Sequence, residues 1–134
     1  MNNKERTLAR ENIVKILYQK DINQNDLTTI ISTFVEKRKF DNTYFNDLLK
    51  LLDIKMNEID NFIQKNANIT EFEASVIDRS ILRLSVCEFL FRKDVPKKVI
   101  MDESIKIAKK FSSEQSFKFI NKILDQLLTS NHEN

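Results

Sequence analysis

Catalysis in this chain would have to draw on one histidine, one cysteine and scattered carboxylates. His132 lies in a polar tail with no second ligand-type residue at a metal-binding spacing, which argues against a zinc site or a His-assisted nucleophile. Cys87 sits between Val86 and Phe89, where a small buried thiol is more common than a reactive one. Asp102 and Glu103 are adjacent, so on a helix they point about 100° apart, a poor geometry for a paired acid and base. Glycine is absent, which excludes the phosphate-cradling loops of nucleotide-binding enzymes, because those loops need backbone without a Cβ. These residues argue against catalysis, a metal site and a Gly-rich phosphate loop.

Positive charge offers a second kind of chemistry. The formal net charge is +2, yet residues 1–20 carry +3, residues 21–91 carry −4, residues 92–122 carry +5 and the tail −2. If the two basic ends meet, they form a patch suited to a polyanion. Phe117 and Phe119 interleave with the basic residues near the C-terminus, as a single-strand RNA surface would require: cations for phosphates, rings for bases. The competing reading is that lysine-rich helix faces are simply solvated and that phenylalanines at helical spacing are core. Composition alone favours that second reading.

The elements that must carry these residues are helical. With no glycine and only Pro96, tight hairpin turns lack their usual residues, and an all-β fold is excluded. Asparagine is the next choice for left-handed positions after helices, and Asn23, Asn25, Asn42, Asn66 and Asn68 fall between the apolar-periodic segments. The spacing predicts helices over Arg6–Lys20, with Ala9, Ile13, Ile16 and Leu17 inward, and over Leu27–Val35. A third helix carries Phe45, Leu48, Leu49 and Leu52 behind a cap at Asn42 or Thr43, and a short fourth carries Met56, Ile59, Phe62 and Ile63.

Val76–Phe91 has ten apolar residues of sixteen, on nearly every side of a helix, and so belongs in the middle of a bundle. Thr70 and Glu73 have capping-box spacing ahead of it. Pro96 starts a basic helix to Lys110, and Ser112 with Gln115 offers a second capping box before a last helix through Leu128. The expectation is an all-α bundle of about seven helices in a single domain, 1–134, with residues 129–134 frayed. One cysteine, no apolar run long enough for a membrane and no signal-like start predict a soluble, cytoplasmic protein.

Within the central helix stand Asp78, Arg79, Arg83 and Glu88. Arg83 reads as a structural group paired with carboxylates elsewhere, and Glu88 with Arg92 at i, i+4 is an expected pair. For Asp78 and Glu88 a structural role and a partner surface both stay open.

Six short motifs follow one another in order: Ala9-Arg10-Glu11 through Leu17-Tyr18; Tyr44-Phe45 with Asp47-Leu48-Leu49; Ile81-Leu82-Arg83-Leu84 with Glu88; Asp94-Val95-Pro96 with Lys98-Val99; Asp102-Glu103 with Ile107-Ala108-Lys109-Lys110-Phe111; and Lys118-Phe119-Ile120-Asn121 with Ile123-Leu124-Asp125. In this order they resemble the NusB family of transcription antitermination factors. The resemblance implies two small helical bundles side by side, no catalysis and no cofactor. It implies pairing with NusE, a small-subunit ribosomal protein, and joint binding of boxA RNA to promote transcription of ribosomal RNA operons, with other Nus factors and RNA polymerase as indirect partners. By position it implies RNA contacts at Lys4, Arg6, Arg10, Lys98, Gln115, Ser116, Lys118 and Phe119, and partner contacts at Tyr18, Asp78 and Glu88.

Three departures from the family pattern bear on function. Thr7 and Leu8 interrupt an N-terminus that is usually richer in arginine. Asp102 stands where asparagine is usual, and a carboxylate there repels phosphate. Ser112 and Lys122 occupy glycine positions. They motivate an alternative, a helical protein–protein adaptor of the transcription complex with weak or lost RNA binding. A domain of this kind also occurs fused to an RNA cytosine methyltransferase, but no Gly-rich cofactor loop is present here.

Overall fold

The computed structural model describes residues 3–67, 69 and 74–129. These form six α-helices, α1 (Asn3–Asn23), α2 (Leu27–Thr33), α3 (Asn42–Asn66), α4 (Val76–Phe91), α5 (Lys97–Phe111) and α6 (Glu114–Leu128), with no strand among the described residues. The all-α expectation holds. The count is six because the expected third and fourth helices are one: nothing in Asp53–Met56 breaks the backbone ladder, so α3 runs unbroken for 25 residues.

Helix α4 is the hub. It packs against α1, α3, α5 and α6, and Ile81, Leu82, Leu84, Val86 and Cys87 are buried on its several sides. Helix α1 packs on α2 and α3, while α4, α5 and α6 pack on one another, giving two small groups joined through α4. A buried hydrogen bond between the Ser85 and Ser104 hydroxyls, 2.6 Å, ties α4 to α5.

The helix ends differ from the sequence reading in several places. Ser75 caps α4: its hydroxyl accepts from the Asp78 N–H at 3.2 Å, and the Asp78 carboxylate accepts from the Ser75 N–H at 3.4 Å, a reciprocal capping box. The box expected at Thr70 and Glu73 lies outside the described residues, as do Asn68 and His132. Asp41 caps α3 through the Tyr44 N–H, 3.0 Å, in place of Asn42 or Thr43. Ser113 caps α6 through the Ser116 N–H, 3.1 Å, so Ser112 ends α5 and Gln115 takes no part in a capping box. Among the described residues the one left-handed backbone position is Gln24, φ 59°, between the two asparagines expected there. Its N–H bonds the Lys20 carbonyl at 3.0 Å and its side-chain amide the Asp21 carbonyl at 2.8 Å, which offsets the roughly 1–2 kcal/mol cost of that conformation.

Candidate nucleic-acid interface

Helix α1 explains its own weak apolar periodicity: three consecutive polar residues, Arg10, Glu11 and Asn12, are buried on it. Burying charge is costly unless it is paired, and Arg10 is paired on three sides. Its Nε donates to Glu88 at 2.8 Å, Nη1 to Glu103 at 3.1 Å and Nη2 to the Tyr44 hydroxyl at 3.4 Å. The Tyr44 hydroxyl in turn donates to Glu88. Glu103 also accepts from Thr7 at 2.5 Å and from Lys106 at 2.6 Å. One network therefore ties α1, α3, α4 and α5 together.

The electrostatics follow from this pairing. Burial pulls the Arg10 pKa down, but Glu88, Tyr44 and Glu103 outweigh it and the net shift is upward, so the guanidinium stays charged. Burial pushes Glu103 up, but Lys106, Thr7 and Arg10 hold its carboxyl below the usual range. Burial first, then Glu88, raises the Tyr44 phenol, which stays protonated as a donor. Three guanidinium carbons surround the Tyr44 ring, Arg6 at 4.0 Å, Arg92 at 4.6 Å and Arg10 at 5.2 Å from its centroid.

Above this network lies an open groove of about 780 Å³ between the start of α1 and α5. Lys4, Arg6 and Thr7 form one wall, Val95, Pro96 and Val99 an apolar wall, and Asp102, Glu103 and Lys106 the remaining side. The basic start of α1 thus meets α5 here, which is the condition the charge distribution set for a shared patch, although Asp94, Asp102 and Glu103 stand among the cations. Among the described residues no group of histidine, cysteine, aspartate and glutamate could hold a metal ion, and no helix is long and apolar enough to cross a membrane.

The NusB family model matches residues 7–129. The chain belongs to the NusB family. It is 36% identical over 131 residues to the transcription antitermination protein NusB of Shewanella woodyi, covering 96% of this chain and 98% of that one. It is 38% identical over 125 residues to NusB of Actinobacillus pleuropneumoniae, covering 91% of each. Among solved structures, NusB of T. maritima superposes with a TM-score of 0.79 at 31% identity over 92% of this chain and 90% of that one. The NusB of a complex described as antitermination factors NusB and NusE with dsRNA superposes with a TM-score of 0.84 over 96% and 99%, and at 23% identity that likeness speaks for the fold.

Against this NusB fold the sequence-derived residues fall into distinct places. Lys4, Arg6 and Arg10 line the groove. Arg10, expected as an RNA contact, is only 3% exposed, because Glu88, Glu103 and Tyr44 take up its guanidinium; its charge is spent inside the protein. Arg6 is half-buried against Tyr44, with Asp41 at 3.7 Å. The Lys98 side chain is 87% exposed, with Asp102 4.0 Å away. Gln115, Ser116, Lys118 and Phe119 stand at the start of α6 and do not line the groove. Lys118 is exposed near Glu114, while Phe119 packs partly on the core.

Of the three partner-surface residues, Tyr18 is exposed beside a shallow hollow with Val14, Lys15, Ile77 and Phe111. Asp78 and Glu88 are buried, 2% and 1% exposed, so the structural side of their two readings is the one the geometry fits. Asp78 is engaged in the cap of α4 and Glu88 in the Arg10 network. The expected Glu88–Arg92 pair is replaced. Arg92 is the C-cap of α4, where the backbone leaves the helix, and its guanidinium turns to Asp47 at 2.8 Å and, through two bonds of 2.9 Å, to Asp94. Arg83 pairs with Asp60 at 2.9 Å and Asp21 at 3.0 Å, the structural role expected of it.

The family's glycine positions need no glycine here. Ser112 has φ −121° and ψ 169°, extended backbone open to any residue, and Lys122 lies inside α6. The network members Tyr44, Thr7, Glu103 and Lys106 were not singled out as a site. The signal that could have found them is charge inside an apolar pattern, Arg10 on α1 and Glu88 on α4, which demands a buried partner.

Proposed function

We propose that the protein is a transcription antitermination factor that pairs with NusE, a small-subunit ribosomal protein, and binds boxA RNA during transcription of ribosomal RNA operons. The observation that carries this reading is family membership over residues 7–129 together with a groove that joins the basic start of α1 to the basic helix α5. On this reading Lys4, Arg6 and Lys98 meet phosphates, with Gln115, Ser116, Lys118 and Phe119 extending the surface along α6. Arg10 holds the wall of the groove without touching RNA. Tyr18 contributes to the NusE contact, and Asp78, next to Ile77 of the same hollow, supports that face from inside, while Glu88 holds Arg10 under the groove. The protein acts by binding, with no cofactor, in the cytoplasm, as one domain, and reaches RNA polymerase through the other Nus factors.

The test is an RNA shift assay with and without NusE, using boxA and a scrambled control. The expected result is weak binding alone and stronger, boxA-selective binding with NusE. Log affinity should fall by about 0.7 per phosphate contact for each decade of salt. Equal binding of the two RNAs by the mixture would defeat the proposal. The adaptor reading draws on Arg10 being neutralised and Asp102 being exposed at the groove. It expects a stable complex with NusE whose affinity RNA leaves unchanged.

A further inference from the structure

The groove mixes both signs of charge: beside Lys4, Arg6, Arg10 and Lys106 its lining carries carboxylates, which a plain phosphate site would not need. Three carboxylates line it. Glu103 is engaged through both oxygens by Thr7, Arg10 and Lys106, and Asp94 is gripped by Arg92 through two hydrogen bonds. Asp102 is different: its side chain is 63% exposed, with Lys98 at 4.0 Å as a loose neighbour. A phosphate seated beside Asp102 would meet an anion. A group with N–H donors would meet an acceptor.

The surroundings narrow what that group is. Val95, Pro96 and Val99 offer an apolar wall on which a flat ring can lie. The volume, about 780 Å³, falls within the roughly 300–1,000 Å³ of small-molecule sites and exceeds what a phosphate alone would fill. Lys98 and Lys106 stand four residues either side of Asp102, on the same helix face, so cations flank the carboxylate. They attract the phosphates of a strand and repel the arginine or lysine of a protein partner, which would otherwise suit a carboxylate.

We propose that the groove receives one unstacked base of a single-stranded RNA, its ring on Val95, Pro96 and Val99 and its amino-bearing edge donating to Asp102, with Lys98 and Lys106 on the flanking phosphates. This rests on the RNA-binding reading above. An amino-bearing edge, that of cytosine, adenine or guanine, can donate to a carboxylate, whereas uracil presents mainly acceptors there. Asp102 is then a specificity-determining residue, and the carboxylate that weakens general phosphate attraction selects a base.

The experiment measures binding of the full chain, with NusE, to boxA RNA and to a set in which each base in turn is replaced by uracil, or by cytosine where uracil stands. Wild type, Asp102→Asn and Asp102→Ala are compared. The wild type is expected to lose roughly tenfold at one replaced amino-bearing position. Asp102→Ala is expected to erase that preference at that position alone, leaving the salt slope unchanged. Asp102→Asn keeps an acceptor oxygen and retains part of the preference. A uniform gain in affinity for every RNA in both variants overturns the base-reading role and leaves RNA binding intact, since it would mean that Asp102 only repels phosphate. Weakening of the NusE complex by Asp102→Ala, with base preference unaltered, also overturns it, by assigning the carboxylate to a protein side chain. No RNA binding by the wild type defeats the RNA-binding reading and this inference together.

Discussion

Replacing Glu88 by alanine tests whether the buried network under the groove is structural. In the native protein the Glu88 carboxylate accepts from Arg10 at 2.8 Å and from the Tyr44 hydroxyl, and the Arg10 and Glu88 side chains are 4% and 1% exposed. The alanine variant leaves Arg10 with Glu103 at 3.1 Å as its remaining carboxylate and removes the acceptor of the Tyr44 hydroxyl. Removing one member of a buried ion pair costs about 3–5 kcal/mol, a large share of the roughly 5–15 kcal/mol by which domains are stable. Glu88→Gln keeps the volume and one acceptor oxygen but loses the charge, and should cost about 2 kcal/mol.

Urea unfolding followed by far-UV circular dichroism at pH 7 gives both numbers, provided the slopes match. The double variant Arg10→Met with Glu88→Leu completes the argument. Apolar residues of similar volume often replace a buried pair with little loss, and Glu103 would keep Lys106 and Thr7. The double variant should therefore be more stable than Glu88→Ala alone. A loss under about 1 kcal/mol in Glu88→Ala, or a double variant as poor as the two single losses combined, would refute the reasoning.

Two further outcomes are expected. Burial, then Glu88, pushes the Cys87 thiol up to about 12, so a thiol reagent at pH 8 should label the native protein only through unfolding, at rates that rise with urea; stoichiometric labelling of the native state within seconds would contradict the burial. The folded chain holds the Tyr44 proton more tightly than the unfolded chain, whose phenol titrates near the usual 10, so stability should fall as pH rises above about 10; Tyr44→Phe should flatten that fall in alkaline urea titrations, and an unchanged slope would count against it.

The fold was legible because its main signals are repetitive. Ten apolar residues in Val76–Phe91 mark a helix surrounded by others, and α4 does pack on four neighbours. Local chemistry was harder to read. Asp41, Ser75 and Ser113 each lie next to or near another residue able to cap, and only the backbone path decides which oxygen meets a free N–H. Asparagine was the reasonable choice for a left-handed turn, yet Gln24 takes it because its own amide can reach the Asp21 carbonyl. For the site, a linear sequence shows that Arg10 and Glu88 are charged but not that 78 residues of chain fold back to set them 2.8 Å apart.

This is why counting cations overstates the polyanion-binding strength of α1. Of its basic groups, Arg10 is neutralised inside the protein, Arg6 rests on Tyr44 near Asp41, and Lys15 leans over Phe111. The charge offered to solvent around the groove comes more from the lysines of α5, and Lys106 and Lys110 are themselves bonded to Glu103 and Glu11. An arrangement of this kind spends its arginine on rigidity: the wall is fixed by buried bonds from four helices, so a ligand need not order it on binding. On the RNA-binding reading proposed above, such a groove would trade gross electrostatic attraction, which salt weakens and every RNA shares, for a preformed shape able to tell one strand from another.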